Sequence, residues 1–297
     1  MISSLTIFPL FVLRLLVTTT FYKIVFAIEL SSVKIALIPK HNSPFFTDVF
    51  EGCQKEALTE SHFRAIEIIC EIISPTSAFE DDDATKQQIE ILENILENRT
   101  HDGVAISVND VTTLTPVIDR VADAGIPLVT FDSDAKDSKR LAYIGTNNTS
   151  FGDQLAKVLL QIMPTGGKFG IVTSLGADNI AERVKGVRNR LKDTKWKEVH
   201  IKDGKGNPLV SLEVMREMIT ETPSLNAIIP VAMWPMVNSS NWKEFVEENQ
   251  NLTNVVGDSS QDQLMLLSHG YCDGLIGQMP YEMGVESLSK LSKRHEK

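Results

Sequence analysis

From Val33 onward, short apolar runs alternate with stretches whose apolar residues recur at helical spacing. The strand-like runs cover residues 33–38, 65–69, 103–108, 127–131, 141–144, 168–173, 198–201, 227–231, 254–256 and 274–276. Helical spacing occupies 45–58, 85–96, 114–124, 152–162, 180–191, 209–219, 242–248, 261–267 and 281–291. Such alternation predicts α/β architecture, with parallel sheets covered by helices on both faces. Several runs are apolar throughout, as strands buried on both sides should be. Gly125, Ile126 and Pro127 end one helix and open the next strand.

The alternation stutters once. The run at 127–131 leads through a polar loop to the run at 141–144, with no helix between. A strand without its crossover helix is not expected to extend the same parallel sheet. The chain is therefore expected to cross into a second domain near Thr146, with four strands before the crossing and five after. Two doubly wound domains joined by a hinge is the economical reading, and 297 residues are enough for two.

Composition narrows the function. Lys and Arg total 29 against 39 Asp and Glu, a net charge of −10, and no compact basic patch offsets it. Nucleic-acid binding is excluded on that ground. Cys53, Cys70 and Cys272 allow at most one disulfide and fit no zinc spacing. Residues 1–28 are apolar with no acid, but Arg14, Lys23 and an early Pro9 interrupt them. They fall short of the roughly 20 apolar residues of a spanning helix. A secretory signal ending near Ala27 fits better, with an uncleaved anchor as the alternative; a secreted, periplasmic or extracellular location follows. Sequons at Asn98, Asn147, Asn148, Asn238 and Asn251 would matter only in a eukaryotic secretory pathway.

In open α/β sheets, ligands bind beyond the carboxyl ends of the strands. The segments there hold Asn42, Ser43, Phe45 and Phe46; Ser107 and Asn109; Asp132; Arg183; Met233 and Trp234; Asp258 and Ser259; and Gln278. Planar amides, carboxylates and a guanidinium suit vicinal hydroxyls, and aromatic rings suit the C–H faces of a sugar. Ser43, Asn109 and Ser259 are read first as helix caps. Asp132, a carboxylate ending an apolar run, is read as functional, and so is Arg183, which opposes its helix dipole.

Catalytic and cofactor motifs fail. Gly166, Gly167 and Lys168 lack the other Walker positions, and no dinucleotide or zinc-protease motif occurs. The Asp132–Asp137 segment begins like a calcium loop but lacks its turn glycine. Asp81, Asp82 and Asp83 read as the solvated start of a helix. The six histidines are isolated. No enzyme, no cofactor and no metal is expected.

The segment from Lys34 through Pro44, Phe45 and Phe46 to Ala57 resembles the opening of type 1 periplasmic sugar-binding proteins, the ribose-binding group. The stretches 114–119, 124–134, 143–148 and 166–168, the trio Ala181, Glu182 and Arg183 with Gly186, and 274–284 continue the resemblance. It implies two Rossmann-like lobes: residues 31–145 with 278–297, and residues 146–277. It also implies that a monosaccharide is held between them by a monomer serving a membrane transporter or receptor. Phe45 and Phe46 would stack on the sugar, and Asp132, Arg183 and Gln278 would bind its hydroxyls. Asn42 and Asp258 join them, although a one-residue shift would exchange them for Ser43 and Ser259. Where ribose-binding relatives carry an Asn-Asp pair, this chain has Ala232, Met233, Trp234 and Pro235, so Trp234 is expected to stack instead.

The relatives usually carry one more segment that recrosses the hinge. Either two strands form the hinge here, or the chain is a truncated form of something longer, such as a receptor ectodomain. The alternative function is thus an extracellular ligand-sensing module. A repressor core would need an N-terminal helix-turn-helix where these apolar residues stand.

Overall fold

The computed structural model describes residues 32–76 and 82–293. The expected signal or anchor at 1–28 and Asp81 lie outside them. Among the described residues, no helix is long and apolar enough to cross a membrane.

Two parallel five-stranded sheets form the molecule. The first contains β1 (Ser32–Ile38), β2 (Glu67–Ile72), β3 (Gly103–Ile106), β4 (Leu128–Phe131) and β5 (Tyr143–Ile144), in the order β2-β1-β3-β4-β5. The helices between them are α1 (Pro44–Arg64), α2 (Asp82–Asn98) and α3 (Val111–Asp123). The chain then enters α4 (Asn148–Ile162) and builds β6 (Gly167–Thr173), β7 (Trp196–Asp203), β8 (Ala227–Pro230), β9 (Thr253–Gly257) and β10 (Gly274–Ile276). Their order is β10-β9-β8-β6-β7. The helices here are α5 (Asp178–Leu191), α6 (Pro208–Glu221), α7 (Ser239–Glu248) and α8 (Gln261–Ser268). After β10 the chain returns in α9 (Pro280–Ser292), which packs along α1.

All ten expected strands form, but they divide five and five. β5 pairs in parallel with β4, Thr130 opposite Tyr143 and Phe131 opposite Ile144. The irregular loop between them is long enough to serve as the crossover, so β5 does extend the first sheet without a helix. The crossing near Thr146 follows β5.

Alternation along β1 supplies two cores. Ile35 and Leu37 pack with Phe46, Val49 and Leu288 on the α1–α9 face, while Ala36 and Ile38 pack with Leu92, Ile95 and Leu114 on the α2–α3 face. The second sheet repeats the plan, with Phe169 and Ile171 facing Leu155 and Val187, and Val172 and Ile228 facing Met215 and Trp242.

The helices that flank the crossings approach closely at glycines. A Cβ on Gly52 would lie 2.0 Å from the Tyr281 carbonyl oxygen, and one on Gly284 1.8 Å from that of Val49. In the second half, Gly152 would meet the Arg183 carbonyl oxygen at 1.8 Å and Gly186 that of Thr149 at 2.1 Å. Counting from each helix start, these residues hold the same places in α1 and α5, and in α9 and α4. A disulfide joins Cys53 of α1 to Cys70 of β2. Closing that short loop stabilises the fold by about 3 kcal/mol. Cys272 is a buried free thiol.

Candidate functional site

Both sheets aim the carboxyl ends of their strands at one cleft of about 440 Å³, within the roughly 300–1,000 Å³ typical of small-molecule sites. Asn42, Phe45, Phe46, Asp132, Arg183, Trp234, Asp258 and Gln278 all line it. Of the pairs left open, Asn42 and Ser43 both border the cleft, and Asp258 does so where Ser259 does not.

Two carboxylates face it from matching places. Asp132 follows β4 and Asp258 follows β9, each beside the strand that precedes a crossing. Both adopt left-handed backbone, with φ of 56° and 71°. Aspartate tolerates this region better than most residues, because its short polar chain bonds locally. The Ser107 hydroxyl donates to Asp132 Oδ2 at 2.8 Å. The Tyr143 hydroxyl donates to the Asp132 carbonyl oxygen at 2.8 Å. Burial, then the Asp132 charge, push that phenol well above its ordinary range, so it remains a neutral donor.

Arg183, 2% exposed, anchors the opposite wall. Its Nε donates to Asn148 Oδ1 at 2.9 Å and its Nη1 to the Val231 carbonyl oxygen at 3.0 Å. Its guanidinium lies 4.1 Å from the Phe151 ring centroid and, through Nη1, 3.8 Å from Asp258 Oδ1. No described residue accepts from Nη2, which leaves two donors for an occupant. The helix-dipole conflict is thus offset by a carboxylate, a ring and two oxygens.

Gln278 stands on the second crossing. Its Nε2 donates to Asp258 Oδ1 at 2.7 Å, and its Oε1 accepts from the Thr146 hydroxyl on the first crossing at 2.7 Å. Asp258 Oδ2 accepts from the Met233 amide at 3.1 Å. Hinge, carboxylate and guanidinium therefore form one connected set.

The rings have mixed roles. Phe46 is 4% exposed and packs edge-on against Phe131 and Phe45, so it closes the core beneath the cleft as well as bordering it. Phe45 is half-buried. Trp234 opens a short 3-10 turn, Trp234–Met236, and packs half-buried against the core of the second sheet.

The expected caps are corrected. Ser43 occupies the N-cap of α1, but its side chain makes no cap hydrogen bond. Asp110 caps α3 by accepting from the Thr113 amide, while Asn109 donates to Thr85 Oγ1. Ser260, in a capping box with Gln263, caps α8 where Ser259 was expected. In the calcium-like segment, Asp134 turns away to pair with Arg140. Among the described residues, no cluster of His, Cys, Asp or Glu suits a metal.

Sequence reasoning missed Lys40, Asn179 and the start of α8, which also line the cleft. Asn179 holds the place in α5 that Phe45 holds in α1, a correspondence visible once the glycines of the two halves are aligned. Asn148 and Phe151 were missed as supports of Arg183.

The profile of the periplasmic binding protein domain matches residues 35–293. The D-ribose/D-allose-binding protein of Pseudomonas aeruginosa is 24% identical over 209 residues, covering 66% of this chain and 61% of the relative. The ribose import binding protein RbsB of Bacillus subtilis is 23% identical over 188 residues, covering 63% and 57%. The chain thus spans less than two thirds of the length of these curated relatives. An ABC transporter solute-binding protein from Burkholderia graminis, solved with D-arabinose, superposes with a TM-score of 0.77 at 27% identity, covering 88% of each chain. The arabinose-binding protein AraP of Geobacillus stearothermophilus shares the fold, with a TM-score of 0.74 at 24% identity over 89% of this chain and 88% of that one. With the profile running through both sheets and both crossings, the chain belongs to the periplasmic binding protein family.

Proposed function

We propose that this protein binds a monosaccharide or similar small polyol between two lobes, as the solute-binding component of sugar uptake serving a membrane transporter. One lobe is residues 31–145 with 278–297 and the other is 146–277. The observation that carries the reading is the convergence of Asp132, Arg183, Asp258 and Gln278, drawn from both sheets and a crossing, on one cleft flanked by aromatic rings. Carboxylate, amide and guanidinium groups in that arrangement accept from and donate to neighbouring hydroxyls. Relatives named for ribose and allose, and a structure solved with D-arabinose, support the ligand class.

A ligand bound only by the folded state stabilises it by about 2.7 kcal/mol at a hundredfold excess over Kd. A thermal-shift panel of pentoses, hexoses and sugar alcohols should therefore contain at least one compound that raises Tm. Asp132→Asn, which retains a residue tolerant of left-handed backbone, should remove that shift while leaving the unliganded Tm within a few degrees. A flat panel would reject the proposal, and an undiminished shift in Asp132→Asn would remove Asp132 from the site.

A further inference from the structure

The cleft changes character with distance from the crossings. Beside them, at the ends of β4 and β9, stand Asp132 and Asp258 with Gln278, and Arg183 reaches in toward Asp258. One strand farther out, the chain leaving β8 lines the cleft with Ala232, Met233, Trp234, Met236 and Val237. Farthest out, at the turn between edge strand β7 and α6, the lining is Gly206 and Pro208. Trp234 belongs to this outer end, because a Cβ on Gly206 would lie 3.8 Å from Trp234 Nε1. The β1–α1 segment adds Pro44 and half-buried Phe45 along with the polar Lys40, His41, Asn42 and Ser43, and Asn179 of α5 joins the lining after β6, so the apolar wall is the one that leaves β8.

A free sugar ring presents hydroxyls around its whole rim and would leave some of them facing these apolar side chains. Burying a hydroxyl without a partner costs roughly 1–3 kcal/mol, whereas burying a hydrocarbon or aromatic group there is favourable at about 25 cal/mol per Å². Building on the polyol reading above, we infer that the preferred occupant is a sugar carrying an apolar substituent, an aryl or alkyl glycoside. Its sugar ring sits at the crossing end, and its substituent lies against Trp234, Met233 and Val237. A cleft of about 440 Å³ has room beyond a single ring.

The chain contains its own reporter. Of the three tryptophans, Trp196 and Trp242 are buried and Trp234 alone is half-exposed, so a change in emission on binding reports on the outer end. The test titrates a panel of aldopentoses and aldohexoses, each as the free sugar and as its phenyl glycoside, by calorimetry and tryptophan emission. For the sugars that bind, the phenyl glycoside should bind at least tenfold tighter and alter the emission more. Trp234→Ala, or Val237→Asp at an already exposed position, should bring the ratio of the two affinities close to one. Asp258→Asn should weaken both forms in proportion and preserve the ratio. Free sugars that bind as tightly as their glycosides, or a gain that survives both Trp234→Ala and Val237→Asp, overturn the inference and leave the polyol reading standing. If neither form of any sugar binds, both fall together.

Discussion

Asp132 and Asp258 occupy left-handed backbone at the ends of equivalent strands, a conformation that costs roughly 1–3 kcal/mol when a non-glycine residue adopts it. What the strain achieves is direction, since both carboxylates face the cleft. The place of Asp132 on the cleft was legible, because a carboxylate closing an apolar run needs a reason. The strain was not, because nothing local to the sequence specifies φ. Arg183 was legible in the same way, through its opposition to the helix dipole. Its grip by Asn148, 35 residues earlier, depends on two helices meeting and could not be read from spacing. Buried Cys272, with Tyr143 beside Asp132, sets the alkaline behaviour, and the thiol acts at the lower pH. Burial pushes the Cys272 thiol up to about 12 from an ordinary 9.0. Above pH 9 the unfolded thiol ionises while the folded one keeps its proton. Stability that is complete below pH 9 is therefore lost progressively toward pH 12. Between pH 8.5 and 11, Tm should fall more steeply for the native protein than for Cys272→Ala; parallel slopes would show that the thiol carries no such dependence.

Paired helices meet at glycines in both halves, and the two contacts have different consequences. A Cβ on Gly152 would press on the Arg183 carbonyl, whereas one on Gly284 would press on Val49, which does not line the cleft. Overpacking typically costs about 1–3 kcal/mol. Gly152→Ala and Gly284→Ala should therefore lower Tm comparably, but only Gly152→Ala should also weaken ligand affinity, as measured by calorimetry. Equal affinity losses in the two variants would contradict that division. Strand and helix placement was legible nearly throughout, because doubly buried strands and amphipathic helices differ in period. The assignment of β5 was misjudged, since a long irregular loop can serve as a crossover as a helix does and carries no periodicity to announce it. The caps of α3 and α8 were displaced by one residue, an offset that cap chemistry alone cannot resolve.

Across the whole molecule, the halves touch directly as well as through the crossings. Asn179 of α5 donates to the Ser133 hydroxyl, beside Asp132, at 3.2 Å. This bond holds the two halves together without a ligand, so Asn179→Ala should enlarge the radius of gyration of the unliganded protein in small-angle scattering and leave the liganded value close to native. No change in the unliganded particle would mean that the bond contributes nothing to closure. The division into two sheets was legible, as was the presence of a cleft between them, whereas the contact that bridges it was not, since it joins residues 46 positions apart in different halves. The sixth position of α1 is Val49 and the sixth of α5 is Arg183. One twin retains a plain hydrocarbon wedge and the other has turned the same socket to charge. The same position of one plan thus serves the buried core in the first half and reaches the gap in the second, so the two walls are unequal by construction.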